Sequence, residues 1–201
     1  MDTEQETHLL KQFEFLSKRP SADHSAYNCP ADKLIEFSEH LLSKEGYDIL
    51  KDVTAVDWLG EKVRFTVMYH VFSSTTYDYI RIAVDCLDNE NPEVPSVVSL
   101  WAAADWHERE TFDMFGIKFK NHPNLKRILM WDEYEYHPLR KDFPLAGIDC
   151  EFPGEDVADR VDVEVLSAPM MGGPFVSSCS GTSKKREPSA ADQSWTEEKS
   201  K

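Results

Sequence analysis

The stretch from Trp101 to Leu145, WAAADWHERETFDMFGIKFKNHPNLKRILMWDEYEYHPLRKDFPL, decides how this chain is read. It holds the densest mix of aromatic, acidic and basic residues in the protein, and His122 and His137 both stand directly before prolines. The spacing predicts a helix from Ala102 to Phe115, closed by Gly116 in a left-handed cap. On that helix Asp105, Arg109 and Asp113 fall on one polar stripe, four residues apart, where Arg109 is expected to pair with both carboxylates. Most of the remaining circumference is apolar (Ala103, Ala104, Trp106, Phe112, Met114, Phe115), yet His107, Glu108 and Glu110 fall inside that arc. A helix apolar on most sides is buried on most sides, and buried carboxylates need partners. The nearest cations along the chain, Lys126, Arg127, Arg140 and Lys141, are expected to supply them.

Upstream of this stretch the pattern changes period twice. Leu9, Leu10, Phe13 and Leu16 recur at helical spacing, which predicts a helix from Thr3 to Lys18 stopped by Pro20. A second helix is expected from Pro30 to Lys44, ended by Gly46. Three segments rich in Val, Ile, Tyr, Phe and Thr then read as strands: Asp48 to Trp58, Lys62 to Phe72 and Tyr77 to Cys86. Phe65, Val67, Tyr69 and Val71 share one face of the second, with Arg64, Thr66, Met68 and His70 on the other. Connections this short require antiparallel neighbours. His70, isolated on its strand face, reads as a surface or cross-strand residue. Val94 to Trp101 is expected to add a fourth strand, and IKFKNHP after Gly116 a short one.

Downstream, the X-Pro steps at His137-Pro138 and Phe143-Pro144 favour extended chain over helix. The fold class is therefore α+β, a largely antiparallel or mixed sheet packed by helices, with a globular domain over residues 1–145. From Ala146 acidic residues alternate with valines, as in VADRVDVEV. Residues 146–175 are expected to form an extended docking arm on another protein, and 176–201 a disordered polar tail.

Composition narrows the function. The net charge of −15 argues against general nucleic-acid binding. Between Ile117 and Lys141, however, six Lys/Arg face three Asp/Glu, a basic strip suited either to pairing with buried acids or to docking on an acidic partner. No apolar run is long enough to span a bilayer, and the polar, acidic N-terminus carries no secretory or transit signature. Cys29, Cys86, Cys150 and Cys179 form no CxxC pair and are expected as free thiols.

Standard catalytic patterns fail one by one. HERE at His107 to Glu110 would need a second histidine at the position of Thr111 to hold zinc as a metalloprotease does. A looser metal set of His107, Glu110, His122 and His137 has no fixed spacing behind it. Glu108 and Glu110 diverge by about 200° around a helix and do not converge on one substrate. Neither glycine-rich phosphate loop nor GxSxG elbow is present.

The segments DWHERETFDMFGI, NHPNLKRILM and HPLRKDFPL resemble the C subunit, of 30-kDa type, of proton-pumping NADH:quinone oxidoreductase, respiratory complex I. Glu108, Arg109, Glu110, Asp113, Met114, Phe115, His122, Lys126, Ile128 and Leu129 carry the match, and Tyr136 departs from it where many relatives have glycine. The resemblance implies an α+β member of the peripheral arm, packed among its subunits D, B and I: the first at the quinone site, the other two bearing clusters. It implies no cofactor in this chain, with FMN and Fe–S clusters in partner subunits. It also implies a peripheral place on the cytoplasmic face of the bacterial inner membrane, held only through the complex. Glu108, Arg109, Glu110, Asp113, His122, Lys126, Arg127, His137, Arg140 and Lys141 become the expected structural and docking network. Two alternatives stay open: the equivalent subunit of a membrane-bound hydrogenase or other donor-linked complex, and a freestanding metal-dependent enzyme built on His107 and Glu110.

Overall fold

The computed structural model describes residues 3–144 and Ile148, with residues 3–6 as backbone only. The chain divides into two compact units, Met1–Asp132 and Glu133–Lys201. The arm and tail expected over 146–175 and 176–201 lie outside the described residues, Ile148 apart.

The first unit is built on a five-stranded mixed sheet. Its elements in chain order are α1 (Thr3–Gln12), β1 (Ser17–Arg19), β2 (Ser25–Asn28), α2 (Leu34–Ser43), β3 (Ile49–Asp57), β4 (Phe65–Phe72), β5 (Tyr79–Cys86), β6 (Glu93–Pro95), α3 (Ala104–Phe115) and β7 (Lys118–Lys120). The strand order is β1-β2-β5-β4-β3, antiparallel throughout except that β2 runs parallel to β5. The strong alternation in β4 sets the register. Phe65, Val67, Tyr69 and Val71 are all buried, and the row Val53–Tyr69–Ile82–Tyr27 crosses four strands on that same face. Leu34, Phe37 and Leu41 of α2 and Met114 and Phe115 of α3 join this core. Each such aliphatic or aromatic side chain, once fully buried, contributes roughly 1.5–3 kcal/mol.

Three expectations change in the structure. The first helix ends at Gln12, and Ser17–Arg19 forms a strand instead of its last turn. Leu16 is buried all the same, and periodicity alone does not separate a buried strand edge from a helix end. Val94 to Trp101 does not extend the main sheet. Only Glu93–Pro95 is strand, paired in parallel with β7 as a separate two-stranded sheet, and the chain then turns, with Leu100 and Trp101 amides donating to the Val97 carbonyl. Strand β2 was not anticipated. It is four residues long, and its parallel partner β5 lies more than fifty residues away, so no local turn announces it.

Helix α3 runs as read, two residues shorter at its start. Gly116 closes it with φ +74° and its N–H on the Phe112 carbonyl at 2.8 Å, a conformation that a side chain would strain. The burial of α3 is narrower than its composition suggests. Ala104, Glu108, Thr111 and Phe115 face inward, whereas Trp106 is 61% exposed and Glu110 lies in solvent. Thr111 Oγ1 donates to the Val53 carbonyl at 3.0 Å and so fixes α3 on β3.

In the second unit, residues 133–144 contain no helix or strand. The Arg140 and Phe143 amides close successive turns on the His137 and Arg140 carbonyls, and Tyr136 packs between the rings of Tyr134 and Phe143. The X-Pro steps favour extended chain over helix; helix is absent there as expected, but the chain turns instead of running extended.

Candidate functional site around the central helix

Two fully buried carboxylates, five residues apart on α3, organise the region. Asp113 is completely satisfied. Its Oδ1 takes Arg127 Nη1 at 2.6 Å, and Oδ2 accepts the consecutive amides of Ile128, Leu129 and Met130 at 2.9, 2.7 and 3.0 Å. Arg127 Nη1 also donates to the Asp113 carbonyl at 3.3 Å. Burial pushes this carboxyl up, but the three amides and the guanidinium outweigh it and its pKa is lowered. The LKRILM segment is thus pinned to α3 by one charged side chain.

Glu108 is treated differently. Its Oε1 accepts the Val97 amide at 2.7 Å, which ties α3 to the segment after β6. Its Oε2 is buried without a hydrogen-bond partner. Burial raises the Glu108 pKa to about 7; the Ser96 hydroxyl and Val97 amide pull it down, and the Asp105 charge adds to the rise. The nearest cation-capable group is His122, whose Nε2 stands 4.0 Å from Oε2.

His122, its side chain fully buried, is held from both sides. The Asn124 amide donates to Nδ1 at 3.0 Å. An amide N–H can only donate, so Nδ1 keeps its lone pair and the ring proton sits on Nε2. That N–H faces the Asp105 carbonyl and Asp105 Oδ1, both at 3.3 Å. Beneath, the Tyr69 hydroxyl from β4 is also buried without a hydrogen bond. Its pKa is raised well above the usual phenol value, first by burial and next by Glu108.

The expected network is therefore partly reassembled. Arg109 does not bridge Asp105 and Asp113. Its Nε donates to the Lys126 carbonyl at 3.1 Å, and its guanidinium lies 4.9 Å over the Trp106 ring. A flat guanidinium finds a ring and a carbonyl within reach, while the buried Asp113 is already claimed. Lys126 contributes its backbone and leaves its side chain exposed. Arg127 is the one predicted cation that reaches a predicted carboxylate in this unit, Asp113. His137, Arg140 and Lys141 belong to the second unit. The looser metal set does not gather either: His107 turns its Nδ1 to Asp52 at 3.3 Å, whereas His122 faces Asp105. Among the described residues no group of three or more His, Cys, Asp or Glu is placed to hold a metal ion. Cys29 and Cys86 are buried free thiols, both pushed up to about 12, first by burial.

Sequence reasoning missed Val97, Asn124, Thr111 and Tyr69 as members of the site. The first two act through backbone amides, which carry no residue signature. Tyr69 could have been found, because it is the one strand tyrosine set among Phe65, Val67 and Val71 on the core face.

The family described as respiratory-chain NADH dehydrogenase, 30 Kd subunit, matches residues 27–149, from β2 through the α3 network. The C subunit of NADH-quinone oxidoreductase from Citrifermentans bemidjiense is 49% identical over 120 residues, covering 60% of this chain and 74% of that protein. The Moorella thermoacetica protein of the same name is 45% identical over 137 residues, covering 68% of this chain and 91% of that one. A chain in the structure of the membrane-bound sulfane sulfur reductase, an archaeal respiratory membrane complex, superposes with a TM-score of 0.61 over 80% of this chain and 91% of its own length. At 20% identity that likeness is one of fold. With the match spanning β3 to β5 and both buried carboxylates, the chain belongs to the 30 Kd subunit family of the respiratory-chain NADH dehydrogenase.

Proposed function

We propose that this chain is a peripheral-arm subunit of an NADH:quinone oxidoreductase, one that binds no cofactor and holds the electron path in place. The observation that carries the reading is the family match over residues 27–149, supported by two relatives named as the C subunit of that enzyme. In this role the assembled complex passes electrons from NADH through FMN and Fe–S centres in other subunits to quinone, coupled to proton translocation. The chain's principal neighbours are the quinone-site and cluster-bearing members of the arm, subunits D, B and I. It sits on the cytoplasmic face of the bacterial inner membrane through the complex. No helix among the described residues is long and apolar enough to cross a membrane, which fits attachment through partners.

The residues Glu108, Arg109, Glu110, Asp113, His122, Lys126, Arg127, His137, Arg140 and Lys141 serve folding and docking in this reading. Asp113 and Glu108 hold the loops on either side of α3 from within. Trp106, 61% exposed with the Arg109 guanidinium over its ring, presents an aromatic and cationic surface of the type that anchors protein interfaces.

The test is affinity purification of the tagged chain from detergent-solubilised membranes of its host, followed by NADH:quinone activity. Co-purification with a large, flavin-containing assembly that oxidises NADH is the expected result. An assembly that oxidises another donor would move the chain to a related complex. A lone protein carrying stoichiometric metal would overturn the reading.

A further inference from the structure

We propose that Glu108 is a buried proton-binding site: in the folded protein its carboxyl, set among Tyr69, Val97 and His122, is held as the neutral acid. Its partners are few. Glu108 is 0% exposed, Oε1 has a single amide donor, and Oε2 has none. A carboxylate so placed loses the solvation of its charge and gains too little in return, so it takes up a proton instead.

The ionisable groups described around it bring it no guanidinium or ammonium partner. From its own helix, Asp105 adds a like charge one turn away, while His107 turns to Asp52 on β3 and Arg109 to the Lys126 carbonyl. From the turn after β7 comes His122, whose Nδ1 accepts the Asn124 amide and whose Nε2 is directed at Asp105. From β4 comes the Tyr69 hydroxyl, uncharged, with Cys86 and Cys29 beyond it, both held as thiols. From the segment after β6 come only Ser96 and Val97. Arg127 is committed to Asp113, and Lys120 is paired with Glu93. Among the described residues no guanidinium or ammonium pairs with Glu108. Compared with Asp113, which has a guanidinium and three amides, Glu108 lacks what would keep it ionised. These contacts all lie within the chain, so the proton site stands whether or not the chain belongs to the proposed assembly.

The test uses the full-length chain with carbon-13-labelled glutamate. One glutamate Cδ is expected to titrate near 7. That resonance is missing in Glu108→Gln, which mimics the neutral acid. Asp105→Asn removes the like charge and moves the midpoint down. The unfolding constant of wild type relative to Glu108→Gln should rise by about 300-fold between pH 3 and pH 9, the factor that a shift from 4.5 to about 7 implies. If every glutamate has finished titrating by pH 6, the proposal is wrong. Should Glu108→Gln fail to fold, the wild-type titration still decides.

Discussion

Asp113 and Glu108 share a helix, a depth and a functional group, and the fold gives them opposite charge states. Asp113 meets three consecutive amides and a guanidinium; Glu108 meets one amide, the Ser96 hydroxyl and the His122 ring at 4.0 Å. Burial by itself therefore says little about the state of an acid. What decides is the number of donors the surrounding backbone can aim at it. The amides of 128–130 converge because the chain there turns around Asp113, whereas near Glu108 the chain leaves β6 and offers only Val97.

The contrast can be broken most sharply at Asp113. Asp113→Ala leaves Arg127 and three amides without their acceptor and is expected to cost about 3–5 kcal/mol, read as loss of soluble folded chain or of the unfolding midpoint. Glu108→Ala should cost less, about 2–4 kcal/mol, because it orphans one amide and opens a cavity but strands no buried cation. Equal losses in a chemical denaturation series would remove the distinction.

The pH dependence sharpens it, since the two shifts have opposite signs. Asp113 has a lowered pKa, so its contribution is present above the unfolded value of 3.8 and lost as pH falls through the folded one. Glu108 has a raised pKa, so its contribution is present below 4.5 and lost as pH rises through about 7. Asp113→Asn should therefore converge on wild type in acid, and Glu108→Gln should converge on it in acid and overtake it in alkali. Unfolding midpoints from pH 3 to pH 9, taken at about one-unit steps, check both slopes.

Smaller effects complete the series. Thr111→Val removes the hydroxyl on the Val53 carbonyl and should cost about 1–2 kcal/mol, seen as a lowered unfolding midpoint. Glu110→Ala, exposed and outside the buried set, should leave that midpoint where it is. A large loss there in the purified chain would mean that the residue has a partner in the isolated protein.

Much of the fold was legible because it is written in local periods. The alternation of Phe65, Val67, Tyr69 and Val71 marked β4 and its core face, and Gly116 marked the end of α3. The site was legible in its residue types and less so in its pairings. Arg127 was expected as a cation for Glu108 or Glu110 and reaches Asp113 instead, and Arg109 joining Asp105 to Asp113 was not realised. Helical spacing tells which side chains share a stripe, but not that a loop fifteen residues on will fold back and claim one of them.

By itself, the sequence determined the α+β class, the amphipathic α2, the antiparallel run from β3 to β5 and the family to which the chain belongs. These follow from patterns a few residues long, or from identity at fixed positions. Tertiary structure alone decided that β2 lies parallel beside β5, that β6 and β7 form a sheet of their own, and that Trp106 faces outward while Glu108 faces in. It also decided which buried carboxylate stays charged. The donors that settle that question are backbone amides, and every residue but proline has one; only the path of the folded chain says where they point.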